Sequence, residues 1–572
     1  MLADEYERIR RALTAPGAPF HTLPITIGGH QFTGWRQAPR DLRSVLETSA
    51  SAYADRPFIV FGDERSSHAE HFAQVARCAN ILRDRYGVAP GDRVAIAMRN
   101  LPEWSIAFWA IVSMGAVAVS INAWMTGREM TYCIADSRAK VLIADEERLD
   151  RLVPTLDELP LEGVMAVRAD ASSYARAADW KDVLATASDV LPDAEIDPDD
   201  DATILYTSGT TGHPKGALGS HRASCHTIIN NCFFSAVEKM ARGQSSDAVE
   251  LIAGASNFLL GMPLFHGAGC QYGLVLTLFT GGKLVMMHRW TADMALELID
   301  REHVTALGGA PTHYIQLIDR LEAERDRPRL GSIQTAFVGG ASPPSDLPAR
   351  MRTWMPNAAV GTGYGQTECT QVAAMSSGTD YLEYPTSFGR ALPVCDIRIV
   401  DGEDRPVPAG ATGELLIRTP TIVKGYVNLP EQTEATFGNG WLRTGDLVHM
   451  DDQGRLYLDD RKKDMIKRAG ENIYSIEVEQ ALYSHPDVQE AAVFGVPHPV
   501  LSEEPVAAVH LHQGSAATEE ELRAHVAARL AKFKIPAAIA IHAEPLPRNA
   551  NGKILKRELR AAMIARQGQT VI

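Results

Sequence analysis

Short apolar runs rich in β-branched residues recur between helical patterns along this 572-residue chain, and that alternation constrains the fold more than any other feature. RVAIAM from Arg93, KVLIAD from Lys140, ATILYTS from Ala202, KLVMM from Lys283 and TAFVGG from Thr335 read as buried strands. Between them, AQVARCANILRDRYG and ADMALELIDREHV place Leu, Ile and Val at helical spacing and end in Gly or polar residues. The expectation is an α/β protein. Its length exceeds what one hydrophobic core organises, at roughly 150 residues per domain, so several folding units are expected.

After about Asp459 the character changes. The charge-dense DDRKKDMIKR leads into a shorter region with its own strands, QEAAVFGV and EPVAAVHL, and its own helix. That helix opens at Thr518 with Glu521 placed for a capping box, and it carries Leu522, Val526 and Leu530 on one face until Pro536. A large N-terminal α/β domain of several subdomains, residues 1–462, and a small C-terminal α+β domain, 463–572, are expected.

Charge excludes some partners. Lys and Arg number 56 against 71 Asp and Glu, a net −15, so the chain gains nothing from counterion release on nucleic acid or from an anionic membrane surface. A local basic pocket for a small anion remains open. The seven cysteines are scattered without zinc or redox spacing, which fits a reducing cytoplasm. MLADEYERIRRAL reads as a short amphipathic helix and not as a signal peptide. Two uncharged runs, Trp104 to Trp124 and Phe258 to Gly282, approach bilayer length. In the first, a helix meets Gly115 and gives way to a strand; in the second, Pro263 and the glycines should break any helix. No integral membrane segment is expected.

The strongest local signal is YTSGTTGHPKGA, Tyr206 to Ala217. Thr207, Ser208, Gly209, Thr210, Thr211, Gly212 and Lys215 combine close backbone approach, rotatable donors and a cation, a combination suited to phosphate. Pro214 and Gly216 flank the lysine where a Walker loop needs Gly and Ser/Thr.

This segment resembles the phosphate loop of the adenylate-forming superfamily, which includes acyl-CoA synthetases. PLFHGAG at Pro263, FVGGASPP at Phe337, GYGQTE at Gly363, RTGD at Arg443, DRKKDMIKRAGENIYSIEVE at Asp460 and PRNANGKILKREL near the C-terminus match that family in order. The resemblance implies ATP, Mg²⁺ and coenzyme A as cofactors, and a small domain that moves. It implies that Tyr364 stacks on adenine, Thr367 contacts the α-phosphate, and Glu368 holds Mg²⁺, with Gly340, Ala341, Ser342, Gly363 and Gly365 around the nucleotide. Asp446 and Arg461 would bind the ribose, Lys553 would act in adenylation, and Lys463 would be the hinge. Gly470, Glu471 and Asn472 would meet the thiol acceptor. His266, Gly339 and Gly340 would line the acid pocket. Lys556 and Arg557 read as a solvated basic face.

The reaction implied is ATP-dependent ligation of a carboxylic acid to CoA through an acyl-AMP. A medium- or long-chain fatty acid is the first expectation, and an aryl or polycyclic propionate the competitor. Transfer to a carrier protein or an amine, or a non-catalytic nucleotide-binding relative, is the alternative.

Overall fold

Each apolar run named above forms a strand in the computed structural model, which describes residues 3–207, 213–244, 256–324, 329–341, 343–469, 471–549 and 552–569. Arg93–Ala97, Val117–Ser120, Val141–Asp145, Gly163–Val167 and Asp201–Thr207 run parallel within an eight-stranded sheet. Their side chains are almost all buried, as expected of parallel strands covered by helices on both faces. A thirteen-stranded sheet carries Pro57–Phe61, Lys283–Met286, Asn257–Leu260, Ala306–Gly309, Thr335–Val338 and Ala359–Tyr364 in parallel, in that spatial order. It continues through antiparallel strands that include Ala374–Ser377, Ser387–Ala391, Leu442–Met450 and Leu456–Arg461. Several of those later strands are half exposed and lack long apolar runs, so the sequence pattern does not announce them.

Helices begin where the sequence caps them. His68–Asp84 opens with a Ser67–Glu70 capping box, and Ala292–Arg301 opens on the Thr291 side chain. The N-terminal helix, Ala3–Thr14, buries Ile9 and Leu13 as an amphipathic helix should. Pro102–Ser113 ends as expected ahead of Gly115, at φ +76°, and Val117–Ser120 follows as a buried strand.

The second uncharged run differs from expectation, because its glycines permit a helix instead of breaking one. Ala268–Val275 winds as a π-helix and continues α-helically through Leu276–Phe279. A Cβ on Gly269 would lie 2.0 Å from the Pro263 carbonyl oxygen, and one on Gly273 would lie 2.6 Å from Leu260 Cδ1. Small residues let this helix press against the loop and strand before it. Among the described residues no helix is long and apolar enough to cross a membrane.

A separate five-stranded sheet includes Ile466–Arg468, Glu471–Ile473, Val488–His498, Ser502–Leu511 and Ile539–His542. Ser475–Tyr483 and Glu519–Ala527 pack on it around a core of Ile466, Val478, Val493 and Leu522. The Thr518–Glu521 capping box is present, but the helix ends at Ala527, well before Pro536. The chain turns there, and Lys532–Lys534 forms a 3₁₀ turn while Leu530 still packs on the small core.

Gly269→Ala is expected to lower stability by about 3 kcal/mol through overpacking against the Pro263 carbonyl. The measurement is the shift in denaturant midpoint relative to the parent chain.

Candidate active site

The carboxyl ends of the parallel strands in the thirteen-stranded sheet carry most of the motif residues, where open α/β sheets hold ligands. Gly339 and Gly340 follow Thr335–Val338 directly, with the Gly339 amide donating to the Gly309 carbonyl at 3.0 Å. Gly340 has φ +86°, a conformation that costs a side-chain-bearing residue. Ala341 follows, half buried. One strand over, Ala359–Tyr364 ends in the GYGQTE segment. A Cβ on Gly365 would sit 1.6 Å from the Gln371 carbonyl oxygen, so only glycine allows the loop to fold back and present Thr367 and Glu368 on a 3₁₀ turn.

Tyr364 is 8% exposed. Its ring packs on Phe388, centroids 4.7 Å apart, and its hydroxyl donates to Asp446 Oδ2 at 2.6 Å. Burial, then the Asp446 charge, pushes the phenol well above its usual range, so it stays a donor. Asp446 itself is 4% exposed and pairs across the strands with Arg461, Nε to Oδ1 3.5 Å. Gly445, at φ +69°, turns the strand so that this carboxylate faces Tyr364.

The small domain adds Lys553 to this cluster. Burial depresses its ammonium to about 7; Arg461 and Lys463 act in the same direction, opposed by Asp464 and Asp446. Its turn is held by the Lys553 amide donating to Asn549 Oδ1 at 3.0 Å, and it abuts the large domain, where a Cβ on Gly552 would lie 2.8 Å from Thr312 Oγ1. Lys463 is exposed on the turn between Leu456–Arg461 and Ile466–Arg468, braced by the Asp464 and Met465 amides donating to the Arg461 carbonyl. Glu471 and Asn472 stand exposed on the edge strand of the small sheet, apart from the Asp446 cluster. Ser208, Gly209, Thr210, Thr211, Gly212, Ser342 and Gly470 lie outside the described residues.

Thr207 and Lys215 face each other at the loop end of the hairpin formed by Asp201–Thr207 and Lys215–Ser220. The Lys215 ammonium lies 5.2 Å over the Tyr426 ring, and the Tyr426 hydroxyl donates to Glu368 Oε1 at 2.7 Å. Tyr426 therefore joins Lys215 to the GYGQTE loop. Nothing in its sequence surroundings marks it; only the pairing of Gly425–Tyr426 with Lys215–Ser220 does. His266 sits on the loop after Asn257–Leu260 against Phe265, and burial lowers it to about 3, which keeps the imidazole neutral.

One sequence reading is corrected. Lys556 is not part of a solvated face: it pairs with Glu479 at 2.6 Å and donates to Ser475 Oγ at 2.8 Å, whereas Arg557 is exposed. Ser475 in turn donates through its backbone amide and its Oγ to Asp460, a residue 1% exposed that immediately precedes Arg461. Burial raises the Asp460 carboxyl to about 6, opposed first by the Lys556 charge. This network spans the turn that carries Lys463.

A cleft of about 560 Å³ opens between the two domains beside the Lys553 turn. Arg99, Trp124, His288 and Arg289 line it from the large domain, and His510 and Arg548 from the small one. Arg99 lies over Trp124 at 5.4 Å, and its Nε makes no hydrogen bond among the described residues but faces Glu147 at 3.9 Å. Burial, then the Arg148 and Arg289 charges, presses Arg99 below the usual arginine range. A ligand carrying several negative charges suits that wall.

Models of two protein families match the chain: the AMP-binding enzyme over residues 46–427 and the AMP-binding enzyme C-terminal domain over 477–553. The chain belongs to the AMP-binding enzyme family. This AMP-binding enzyme is 33% identical to the long-chain-fatty-acid–CoA ligase FadD13 of Mycobacterium tuberculosis over 507 residues, 87% of this chain and 93% of that one. It is 34% identical to the feruloyl-CoA synthase of an Amycolatopsis species, covering 87% of this chain and 94% of the relative. Its fold matches the crystal structure of the anthranilate CoA ligase AuaEII in complex with anthranoyl-AMP at a TM-score of 0.82 and 26% identity, over 93% and 99% of the two chains. The protein is an acid–thiol ligase of the acyl- and aryl-CoA synthetase group.

Removing the Tyr426 hydroxyl in Tyr426→Phe leaves the ring beneath Lys215 but ends its hydrogen bond to Glu368. A bond to a charged group is worth about 1.5–3 kcal/mol, so the KM for ATP is expected to rise about tenfold or more in a pyrophosphate-release assay.

Proposed function

We propose that this ligase converts a hydrophobic, ring-bearing carboxylic acid to its acyl-adenylate and then to its CoA thioester, the small domain serving the two half-reactions in turn. The observation that carries this reading is the position of Lys553, brought by the small domain to the Asp446–Arg461–Tyr364 cluster of the large one. An acid attacking the α-phosphorus of ATP is an anion approaching an anion, and a cation fixed between them stabilises the charge that builds up. Asp446 and Arg461 would hold the ribose hydroxyls, and Tyr364 would hold Asp446 while offering adenine the ring face not covered by Phe388. Lys215, with Thr207 and the loop between them, would meet the departing phosphates. Glu368 and Thr367 form a hard-oxygen pair suited to Mg²⁺, which would supply charge neutralisation on the phosphates.

The second half-reaction needs another face of the small domain. Lys463 lies on the single turn joining the two sheets, and Glu471 and Asn472 stand exposed beyond it, so rotation there would exchange one set for the other. The basic wall of Arg99 and Arg289, with Arg548 across the cleft, favours CoA, with its phosphates, as the acceptor over a simple amine. The acid is read from the aromatic enclosure beside Gly363: Phe258 and Tyr272 centroids are 5.4 Å apart, Tyr272 and Phe337 5.3 Å, and Phe337 and Phe234 6.1 Å. Rings at these separations touch one another and so form one aromatic wall, and a compact ring stacked against that wall gains more than an extended alkyl chain does. The cysteines, free thiols and all buried, accord with a reducing cytoplasm.

Lys553→Ala is expected to reduce acyl-AMP formation by at least a hundredfold while leaving thioester formation from supplied acyl-AMP and free CoA within a few-fold of the parent. Equal loss in both half-reactions would refute the division of labour. A pH dependence follows as well. With Lys553 depressed to about 7, the ammonium prevails below that pH and is lost above it, so kcat/KM for ATP should fall as pH rises through about 7. Lys553→Arg should remove this limb from the pH–rate profile.

A further inference from the structure

Behind the strand that ends in Tyr364 lies a second and much smaller chamber, of about 20 Å³. Phe234 and Val237 of the helix His221–Ala241, Ser376 and Ser377 of the strand Ala374–Ser377, Arg390, and Tyr6 of the N-terminal helix enclose it. Its relation to the acyl floor is fixed by strand register. Gly361 pairs with Ser377, Thr362 with Ser376 and Gly363 with Met375. A Cβ on Gly361 would come within 3.4 Å of Phe234 Cζ, and one on Gly363 within 2.9 Å of Phe337 Cζ. The Phe234 and Phe337 rings meet edge to face. A single aromatic layer therefore divides the floor from the chamber, and Phe234, which borders the chamber, is only half buried.

The chamber's walls are mostly apolar, with Phe233, Met375 and Leu392 among them, but two polar atoms face it without a partner among the described residues, which an alkyl terminus would leave unsatisfied. Ser376 is 3% exposed, and its Oγ has no hydrogen-bond partner among the described residues. The same holds for Nη2 of Arg390, a residue 9% exposed. The other Arg390 nitrogens are engaged: Nη1 donates to Asp380 and Nε donates to the Gln453 carbonyl at 3.0 Å. The guanidinium also lies 5.1 Å over the Tyr6 ring, and burial pushes that phenol to about 12, so the cover is uncharged. A buried donor without an acceptor costs about 1–3 kcal/mol. The volume suits one oxygen atom, since a water needs about 10–15 Å³ by the same measure.

We propose that the acid carries an uncharged oxygen, a carbonyl or hydroxyl, at the end remote from its carboxylate, and that this oxygen enters the chamber to accept from Arg390 Nη2 and Ser376 Oγ. Two residues of strand separate Gly363 from Gly361, about 7 Å, which sets the reach required beyond the floor. Phe234 turns aside to admit it. A second carboxylate is disfavoured, because the charges nearby are already matched, Arg390 and Arg455 by Asp380 and Asp451 and Arg242 by Glu238, so a further anion would be buried without a countercharge. The inference rests on the ligation reading above, whose acyl floor it extends.

The test compares 3-(4-oxocyclohexyl)propanoate with 3-cyclohexylpropanoate, a pair differing by one oxygen, in ATP–pyrophosphate exchange with the full chain. The oxo acid is expected to have at least tenfold higher kcat/KM, and Ser376→Ala is expected to shrink that ratio about tenfold. Equal kcat/KM for the two acids overturns the chamber's role alone and leaves it a cavity satisfied by solvent. A ratio unchanged by Ser376→Ala overturns it too, as does preference for a matched dicarboxylic acid. Absence of exchange with every acid in a broad panel overturns ligation and the chamber's role together.

Discussion

The Asp446 carboxylate is where the two domains of this protein become one site. It is nearly buried, it accepts from the Tyr364 hydroxyl, it faces Arg461 on the next strand, and it lies within the field of Lys553 from the small domain. A buried carboxylate persists only if its neighbours replace the water it has lost. Those neighbours come from the GYGQTE loop, from the strand before the Lys463 turn and from the C-terminal turn, so three distant stretches of sequence are bound into one geometry by one charge.

Around that anchor the chain uses glycine where backbone must touch backbone. Gly365 lets its loop fold onto the Gln371 carbonyl, and Gly269 lets the π-helix press against Pro263. Both segments border the site, and π-helical stretches recur at functional sites because the widened turn re-aims side chains. In the proposed two-step ligation, rigidity in these loops would complement a turn at Lys463, since fixed donors and a part that can leave are both required.

Much of this was legible in the sequence. The parallel strands announce themselves as apolar runs because both faces are buried, and the motif order announces the family and most candidate residues. What escaped was whatever depends on pairing between remote segments. Tyr426 reaches Glu368 only because a two-residue strand joins the edge of the hairpin that carries Lys215. Lys556, within a basic cluster, has no mark in sequence that separates a solvated lysine from one gripped by Glu479 and Ser475. The glycines from Gly261 to Gly282 look like helix breakers by propensity, yet close packing overrides propensity there.

The Asp460 network has an effect beyond holding the small domain in place. Its carboxylate is desolvated enough to titrate near 6, so at neutral pH the clasp is closed around a charge that would be better hydrated outside it. A fastening of that kind aligns the parts without trapping them. Part of what its hydrogen bonds gain is cancelled by the dehydration they require, so the release that the proposed rotation demands would be eased by water returning to Asp460.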